Sequence, residues 1–324
     1  MEKRIEYIDL AKGFCIIFVV LFHIQGFYQI TYPTDSVLSA VRMPLYYFLS
    51  GYFLKTYDGF FSFLKKKVNK LLIPFLFFYL LTAVILPNLF HFAFNSEINT
   101  VYGWASLYAF IYPELFPNYA IWFLWSLFLA NILFYLSVML CKKKVWLILL
   151  SILLGVVGYF CWYHGINLPA FIDNTLFYFP FFLSGYLFFQ HQLLENVVLN
   201  KYVWLLCVLS FLFLFFLFDK RYLFFPVSLF INYFGSLIGV LCILLISKRI
   251  HRLPVISYVG RYSIMVLLTH IYLIRILGTF IQSFVANTHV CLLFTLVITV
   301  LSYLLIIPLM RRYLPYVTAQ KDLL

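Results

Sequence analysis

The chain has 324 residues, of which 65% are hydrophobic and only 10% are charged, and its mean hydropathy is +1.00. This composition excludes a soluble globular protein, and apolar runs long enough to cross a bilayer recur along nearly the whole length. The runs are continuous rather than alternating, which excludes a transmembrane β-barrel. The formal net charge of +12 does not indicate nucleic-acid binding, because the basic residues fall in short clusters between the apolar runs.

The pattern predicts an all-α polytopic membrane protein with about ten transmembrane helices, both termini cytoplasmic. The apolar runs lie approximately at 13–32, 37–54, 71–94, 120–141, 145–163, 172–190, 202–218, 223–246, 257–279 and 290–310. With a cytoplasmic N-terminus, 19 of the 23 Lys and Arg residues fall on the cytoplasmic side, as the positive-inside rule requires. We therefore expect one integral membrane domain over residues 1–324, located in the cell (inner) membrane, with a short cytoplasmic tail at 311–324.

The first apolar run and the short charged segment before it carry ionisable residues on one face. Lys12 and His23 are eleven residues apart, which in a helix places them on nearly the same side and roughly 16 Å apart along the axis. An imidazole near the middle of a membrane is usually functional, and it can act as a general base toward a hydroxyl. The alternatives are a hydrogen bond from His23 to a neighbouring span, and an Asp9–Lys12 ion pair that anchors the helix at the membrane boundary.

Three further groups are candidates for a site. Arg42, beside an apolar run on the outer side, either snorkels to water or holds an anionic or transition-state oxygen. Ser50, in a stretch where Pro44 starts or kinks a helix, either permits close helix packing or lines a substrate pocket. His270 is a second intramembrane histidine, which either shares a cavity with His23 or makes a core hydrogen bond.

A cluster of lysines, formed by Lys65, Lys66, Lys67 and Lys70, precedes the third apolar run. Within it, Lys67 and Lys70 have the spacing Lys-x-x-Lys, shortly before Pro74. A lysine cluster at this place is an ordinary topology signal, and it is also a suitable point-charge receptor for phosphate groups. Both interpretations are open from the residues alone.

The stretch 4–23 resembles the start of the acyltransferase-3 family of integral membrane O-acyltransferases, most closely its sugar/fucose O-acetylase-like branch. Lys12 stands where the general family pattern, Arg-x10-His, has arginine, and His23 matches the histidine. Residues 42–52 are similar to the family segment that opens with Met-Pro and ends with Ser-Gly. Lys67-x-x-Lys70 takes the place of an Arg-x-x-Arg that the family uses for the acyl donor. Looser likenesses occur at residues 121–124, 179–186 and 256–263, the last followed by His270.

The resemblance implies a membrane O-acetyltransferase that moves an acetyl (acyl) group from acetyl-CoA, as co-substrate, to a hydroxyl of a sugar, cell-surface glycan or glycolipid. His23 would be the general base, and no metal is expected. The residues implied in the site are His23, Asp9 and Lys12 for catalysis, Lys67 and Lys70 for the CoA phosphates, and Arg42, Ser50 and His270 for the acceptor or oxyanion.

Two questions stay open at this point. An acetyl-histidine intermediate is an alternative to direct transfer. The competing function is a multi-pass transporter or flippase, in which His23 and His270 relay protons and Arg42 binds an anionic substrate. The partners expected besides the donor and acceptor are the lipids of the bilayer, and the oligomeric state is open.

Overall fold

The computed structural model describes residues 5–55, 57–86, 118–196 and 224–324, with eight more residues between 202 and 213. The regular structure in these residues is helical throughout, and they contain no strand. Six helices in them are long and apolar enough to cross a membrane. The all-α, multi-pass membrane class is thus confirmed. The predicted run 202–218 and the distal part of 71–94 lie largely outside the described residues, and the count of about ten spans stays a prediction.

The helices occur in the following order: α1 (Glu6–Tyr28), α2 (Thr34–Tyr52), α3 (Phe60–Lys67), α4 (Ile73–Tyr79), α5 (Trp122–Leu140), α6 (Lys144–Tyr163), α7 (Ile172–Gln190), α8 (Leu193–Asn196), α9 (Phe225–Ile250), α10 (Pro254–Arg261), α11 (Ser263–Gln282) and α12 (Thr288–Tyr313). Two π-helical turns, Val68–Leu72 and Leu80–Ile85, flank α4. The chain divides into two compact units. The first comprises Met1–Tyr52 and Ser184–Leu309, and the second Phe53–Leu183 and Met310–Leu324.

Helix α1 is the central element of the first unit. It begins at Glu6, so the charged lead before the apolar run is itself helical. Glu6 and Asp9 lie in its first turn, where negative charge is stabilised by the helix dipole. Its apolar residues pack against α2 and α9 in one buried cluster: Ile8, Ala11, Cys15, Val41, Leu45, Phe48, Leu49, Tyr52, Leu194, Val240, Ile243 and Leu244.

Glycines bring α1 and α10 into backbone contact. A Cβ placed on Gly260 would overlap the backbone of Asp9 and Gly13, and a Cβ on Gly13 would overlap the carbonyl of Ile256. Such close approach is typical of small-residue packing between membrane helices. The contact fixes the N-terminal half of α1 against α10.

Helix α2 continues through its proline. Pro44 lies inside the helix rather than at its start, so of the two roles expected for this residue, the helix start is wrong. Pro44 lacks the N–H that would otherwise donate to the carbonyl four residues earlier. The α2 backbone also lies close to Gly185 of α7, where a Cβ would overlap the carbonyl of Phe48.

The second unit contains a long helical run from α3 through α4. Pro74 cannot donate a hydrogen bond, and just before it the helix widens, so that the N–H of Ile73 donates to the carbonyl of Val68, five residues earlier. This run packs on α5, where the rings of Phe63 and Tyr135 stack with centroids 4.6 Å apart. Widened turns of this kind occur frequently at functional sites.

The glycine contact predicts a large difference between two alanine substitutions in the first unit. Gly260→Ala forces a methyl group into the backbone of α1, and overpacking of this kind costs about 1–3 kcal/mol. We expect a lower thermal unfolding midpoint in detergent. Gly26→Ala is the matched control, since no atom lies within 4 Å of its added Cβ and alanine favours the helix. Equal midpoints for the two variants would contradict the contact.

Candidate active site

His23 of α1 and His270 of α11 lie side by side in the first unit. Their ring centroids are 5.0 Å apart, with the planes inclined at 57°. His270 is fully buried, whereas His23 is only half-buried. The two residues are separated by most of the chain, and the sequence offered this proximity only as one of two alternatives. The structure shows both features expected for His270: its ring lies beside that of His23, and it makes core hydrogen bonds.

The hydrogen bonds of His270 define its tautomer. Nδ1 lies 2.9 Å from the carbonyl oxygen of Val266 and 3.0 Å from that of Leu267. Carbonyl oxygens only accept, so Nδ1 carries the proton, and Nε2 of the neutral ring is an acceptor. Nε2 is buried and has no hydrogen-bond partner among the described residues. A buried group left unpaired costs roughly 1–3 kcal/mol, so this nitrogen is suited to receive a hydrogen bond from a ligand hydroxyl or water.

Arg42 is connected to His23 through an aromatic ring. Its guanidinium carbon lies 4.3 Å from the ring centroid of Phe22, and the Phe22 ring contacts the imidazole of His23 edge-on at 5.1 Å. Arg42 Nη1 donates to Asp35 Oδ1 at 2.7 Å, and Nη2 donates to Oδ2 at 3.5 Å. With 8% of its surface exposed, Arg42 is held near His23 by the Phe22 ring and by Asp35. Its remaining N–H groups donate no hydrogen bond within the described part of the chain.

Asp9 and Lys12 lie toward the other end of α1. The helix is continuous from Glu6 to Tyr28, so Asp9 is roughly 21 Å and Lys12 roughly 16 Å from His23 along the axis. Tyr46 Oη donates to the Lys12 carbonyl at 3.1 Å. Asp9 borders a small pocket of about 80 Å³ whose charged lining is Glu6, Asp9, Arg252 and Arg261. At this distance Asp9 cannot contact His23.

Ser50 is near the end of α2 and half-buried. It follows Arg42 by eight residues, a rise of roughly 12 Å along a helix. The structure therefore does not bring Ser50 to the Arg42 guanidinium. Its place beside the close approach of Gly185 to the α2 backbone is consistent with the packing role.

Lys67 and Lys70 belong to the second unit, and their ammonium groups have different partners. Lys70 Nζ forms an ion pair with Asp322 at 3.1 Å. Lys67 has no carboxylate partner in the described residues, and its Nζ lies 5.3 Å from the centroid of the Phe63 ring. Burial lowers the pKa of the Lys67 ammonium to about 8. Of the two lysines, Lys67 is therefore the one whose charge the protein leaves uncompensated.

Several residues of these arrangements were missed from the sequence. Asp35 precedes Arg42 by seven residues, two helical turns, and that spacing would have indicated the ion pair. Lys66 and Asp322 form an ion pair at 2.6 Å over a separation of 256 residues. No local sequence pattern indicates a contact between residues so far apart in the chain.

The described helices are those of a multi-pass membrane protein, and the neighbouring polar side chains of Arg42, His23 and His270 form a candidate active site inside its first unit. The acyltransferase-3 family model, described as an acyltransferase domain, matches residues 5–307. The chain belongs to this family and is a membrane acyltransferase. Neither a search of curated proteins nor a search of solved structures finds a match. Membership of an acyltransferase family favours the enzyme over the transporter.

The Arg42–Asp35 pair predicts a non-additive effect on stability. Asp35→Leu leaves a buried guanidinium without its carboxylate, and loss of one partner of a buried pair costs about 3 kcal/mol or more. We expect the double variant Asp35→Leu/Arg42→Leu to be more stable than Asp35→Leu alone. Thermal unfolding of the three variants and the wild type in one detergent measures the coupling. If the stability losses of the two single variants add up in the double variant, the ion pair contributes nothing to stability.

Proposed function

We propose that this protein is an O-acetyltransferase that moves an acetyl group from acetyl-CoA to a hydroxyl of a sugar, cell-surface glycan or glycolipid, as in the sugar/fucose O-acetylase-like branch of the family. The observation that carries the proposal is the imidazole pair of His23 and His270, 5.0 Å apart in the first unit of a family acyltransferase. A titratable pair inside a membrane protein is expensive to retain without a chemical role.

In the proposed reaction His23 is the general base. It accepts the proton of the acceptor hydroxyl as that oxygen attacks the thioester carbonyl carbon, forming a C–O bond. The C–S bond then breaks, and the departing CoA thiolate takes the proton back from the imidazolium of His23. The acceptor becomes an acetyl ester, and the ring returns to its neutral form.

His270 and Arg42 position the reactants in this proposal. The unpartnered Nε2 of His270 accepts a hydrogen bond from a hydroxyl of the acceptor. The Arg42 guanidinium offers its remaining N–H groups to the negative charge that develops on the thioester oxygen. Asp35 keeps the guanidinium in place and balances its charge in the ground state. Direct transfer needs no covalent intermediate on either imidazole.

The donor's phosphates are assigned to the lysine cluster of the second unit, chiefly Lys67. Its uncompensated ammonium gains an anionic partner when phosphate binds, which offsets the burial of the charge. In the proposed topology of about ten spans, with both termini in the cytoplasm and the protein in the inner membrane, this cluster faces the compartment that supplies acetyl-CoA.

Acetyl transfer from radiolabelled acetyl-CoA to membrane glycolipid or polysaccharide tests the function. Loss of a general base slows a reaction about 10²- to 10⁴-fold, so His23→Ala is expected to abolish detectable labelling at normal membrane insertion. His191→Ala, which removes an exposed histidine of the same unit, is the matched control and keeps wild-type labelling. Equal labelling by His23→Ala and wild type would refute the general base, and no labelling in wild type would refute the transferase with these acceptors.

The pKa of Lys67 predicts how CoA binding depends on pH. The lysine is charged below about pH 8 and neutral above it, whereas phosphate monoesters are already doubly ionised at pH 7. CoA affinity is therefore expected to fall about tenfold between pH 7 and pH 9, because a charge-assisted hydrogen bond is lost. Lys67→Arg keeps its charge and flattens this dependence, while Lys65→Arg, at an exposed neighbouring position, leaves it unchanged. Calorimetric titration with CoA at both pH values measures it.

A further inference from the structure

The chain that follows α12 is fastened to the lysine cluster by ionic contacts within the second unit. Lys66 Nζ lies 2.6 Å from Asp322 Oδ2, and Lys70 Nζ lies 3.1 Å from Asp322 Oδ1. Lys70 Nζ also donates to the carbonyl of Ala319 at 2.7 Å. One carboxylate is thus shared by two ammonium groups that stand one helical turn apart.

Asn69 holds the next residues of the tail by their backbone. Its Oδ1 accepts hydrogen bonds from the N–H groups of Leu323 at 2.7 Å and Leu324 at 2.9 Å. Its Nδ2 donates to the carbonyl of Lys65 at 2.9 Å, and the side chain is 1% exposed. The tail contact is therefore specific in geometry, and the asparagine amide is oriented by the helix that carries the lysines.

The ion pairs of Asp322 with Lys66 and Lys70 are weak enough for another anion to replace the carboxylate. The side chains of Lys66, Lys70 and Asp322 are between 34% and 38% exposed, and exposed ion pairs contribute only about 0.2–1 kcal/mol each. Two lysines that share the two oxygens of a carboxylate can equally bind two oxygens of a phosphate. With Lys67 beside them, the cluster has more cations than the single carboxylate neutralises.

We propose that Lys66 and Lys70 form a phosphate-binding site, that Asp322 occupies it as an internal substitute, and that a phosphate group of the acyl-CoA donor displaces Asp322 and releases residues 319–324. This inference rests on the proposed function for the identity of the donor. It adds Lys66 to the binding residues, and it makes the tail a competitor of the donor. The same phosphate chemistry is present in anionic lipid headgroups, which the test separates from CoA.

The first measurement is the affinity of the protein, with residues 1–324 intact, for CoA in neutral detergent. Asp322→Asn removes the competitor's charge, and at the strength of an exposed ion pair we expect about two- to fivefold tighter binding than in wild type. Asp58→Asn is the matched control: it removes an exposed carboxylate from the same unit, one that forms no ion pair with a described residue, and leaves the affinity unchanged. Equal affinity of wild type and Asp322→Asn would overturn the competition.

The second measurement is hydrogen exchange of the tail amides. Leu323 and Leu324 donate to Asn69 in the structure, so their exchange is slow in wild type and is expected to accelerate when CoA is saturating. In Asp322→Asn without CoA it is expected to be about two- to fivefold faster than in wild type, because the exposed ion pairs are lost. Tail amides that stay protected at saturating CoA would overturn the displacement, even if CoA binds.

A lipid arm identifies the source of the phosphate. Wild-type protein in nanodiscs of neutral phospholipid is expected to keep the tail protected until CoA is added, and anionic phospholipid alone is expected not to release it. Release by anionic lipid but not by CoA would overturn the assignment to the donor. If acetyl transfer occurs while the tail stays protected, only the displacement is wrong. If neither wild type nor Asp322→Asn binds CoA, the proposed donor is wrong as well.

Discussion

The arrangement of the first unit depends on the direct contact between the backbones of α1 and α10. At Gly13 and Gly260 no side chain separates the two helices, so α1 cannot slide or rotate without a clash of main-chain atoms. α1 is also tied near its other end, where Tyr28 Oη lies 2.8 Å from the hydroxyl of Thr295. Since the helix is unbroken between these points, the position of His23 beside α11 is a consequence of packing some 15 Å away, at 1.5 Å per residue.

Two kinds of charged or polar group occur in this protein, and their partners distinguish them. The guanidinium of Arg42 is compensated by a carboxylate and an aromatic face, so its burial is stabilised by the fold itself. Nε2 of His270 and the ammonium of Lys67 lack such partners in the described residues. A bound ligand can lower the free energy of such groups by supplying the missing hydrogen bond or opposite charge. The proposed acceptor and donor contacts therefore use these two groups.

The sequence was sufficient for the all-helical class and for the place of Lys12 and His23 on α1, but not for the break between α10 and α11, which divides the predicted run 257–279. The long apolar runs and the eleven-residue spacing of Lys12 and His23 predicted a continuous first helix, because both depend on local periodicity. The neighbours of these residues could not be predicted in this way. The His23–His270 pair and the Lys66–Asp322 pair join parts of the chain far apart in sequence, and no local pattern indicates which lysine of 65–70 meets Asp322. Three-dimensional packing decides both.

The anchoring of His270 also limits what the histidine pair can do with protons. A proton wire through an imidazole takes up a proton at one ring nitrogen and releases it from the other. In His270 the Nδ1 proton points at the carbonyls of Val266 and Leu267, and amide oxygens do not pass a proton onward. The His270 ring can therefore exchange a proton only at Nε2, and it cannot pass a proton from one side to the other. Such a histidine pair suits a reaction in which the proton is taken up and released within the same site, as in acyl transfer.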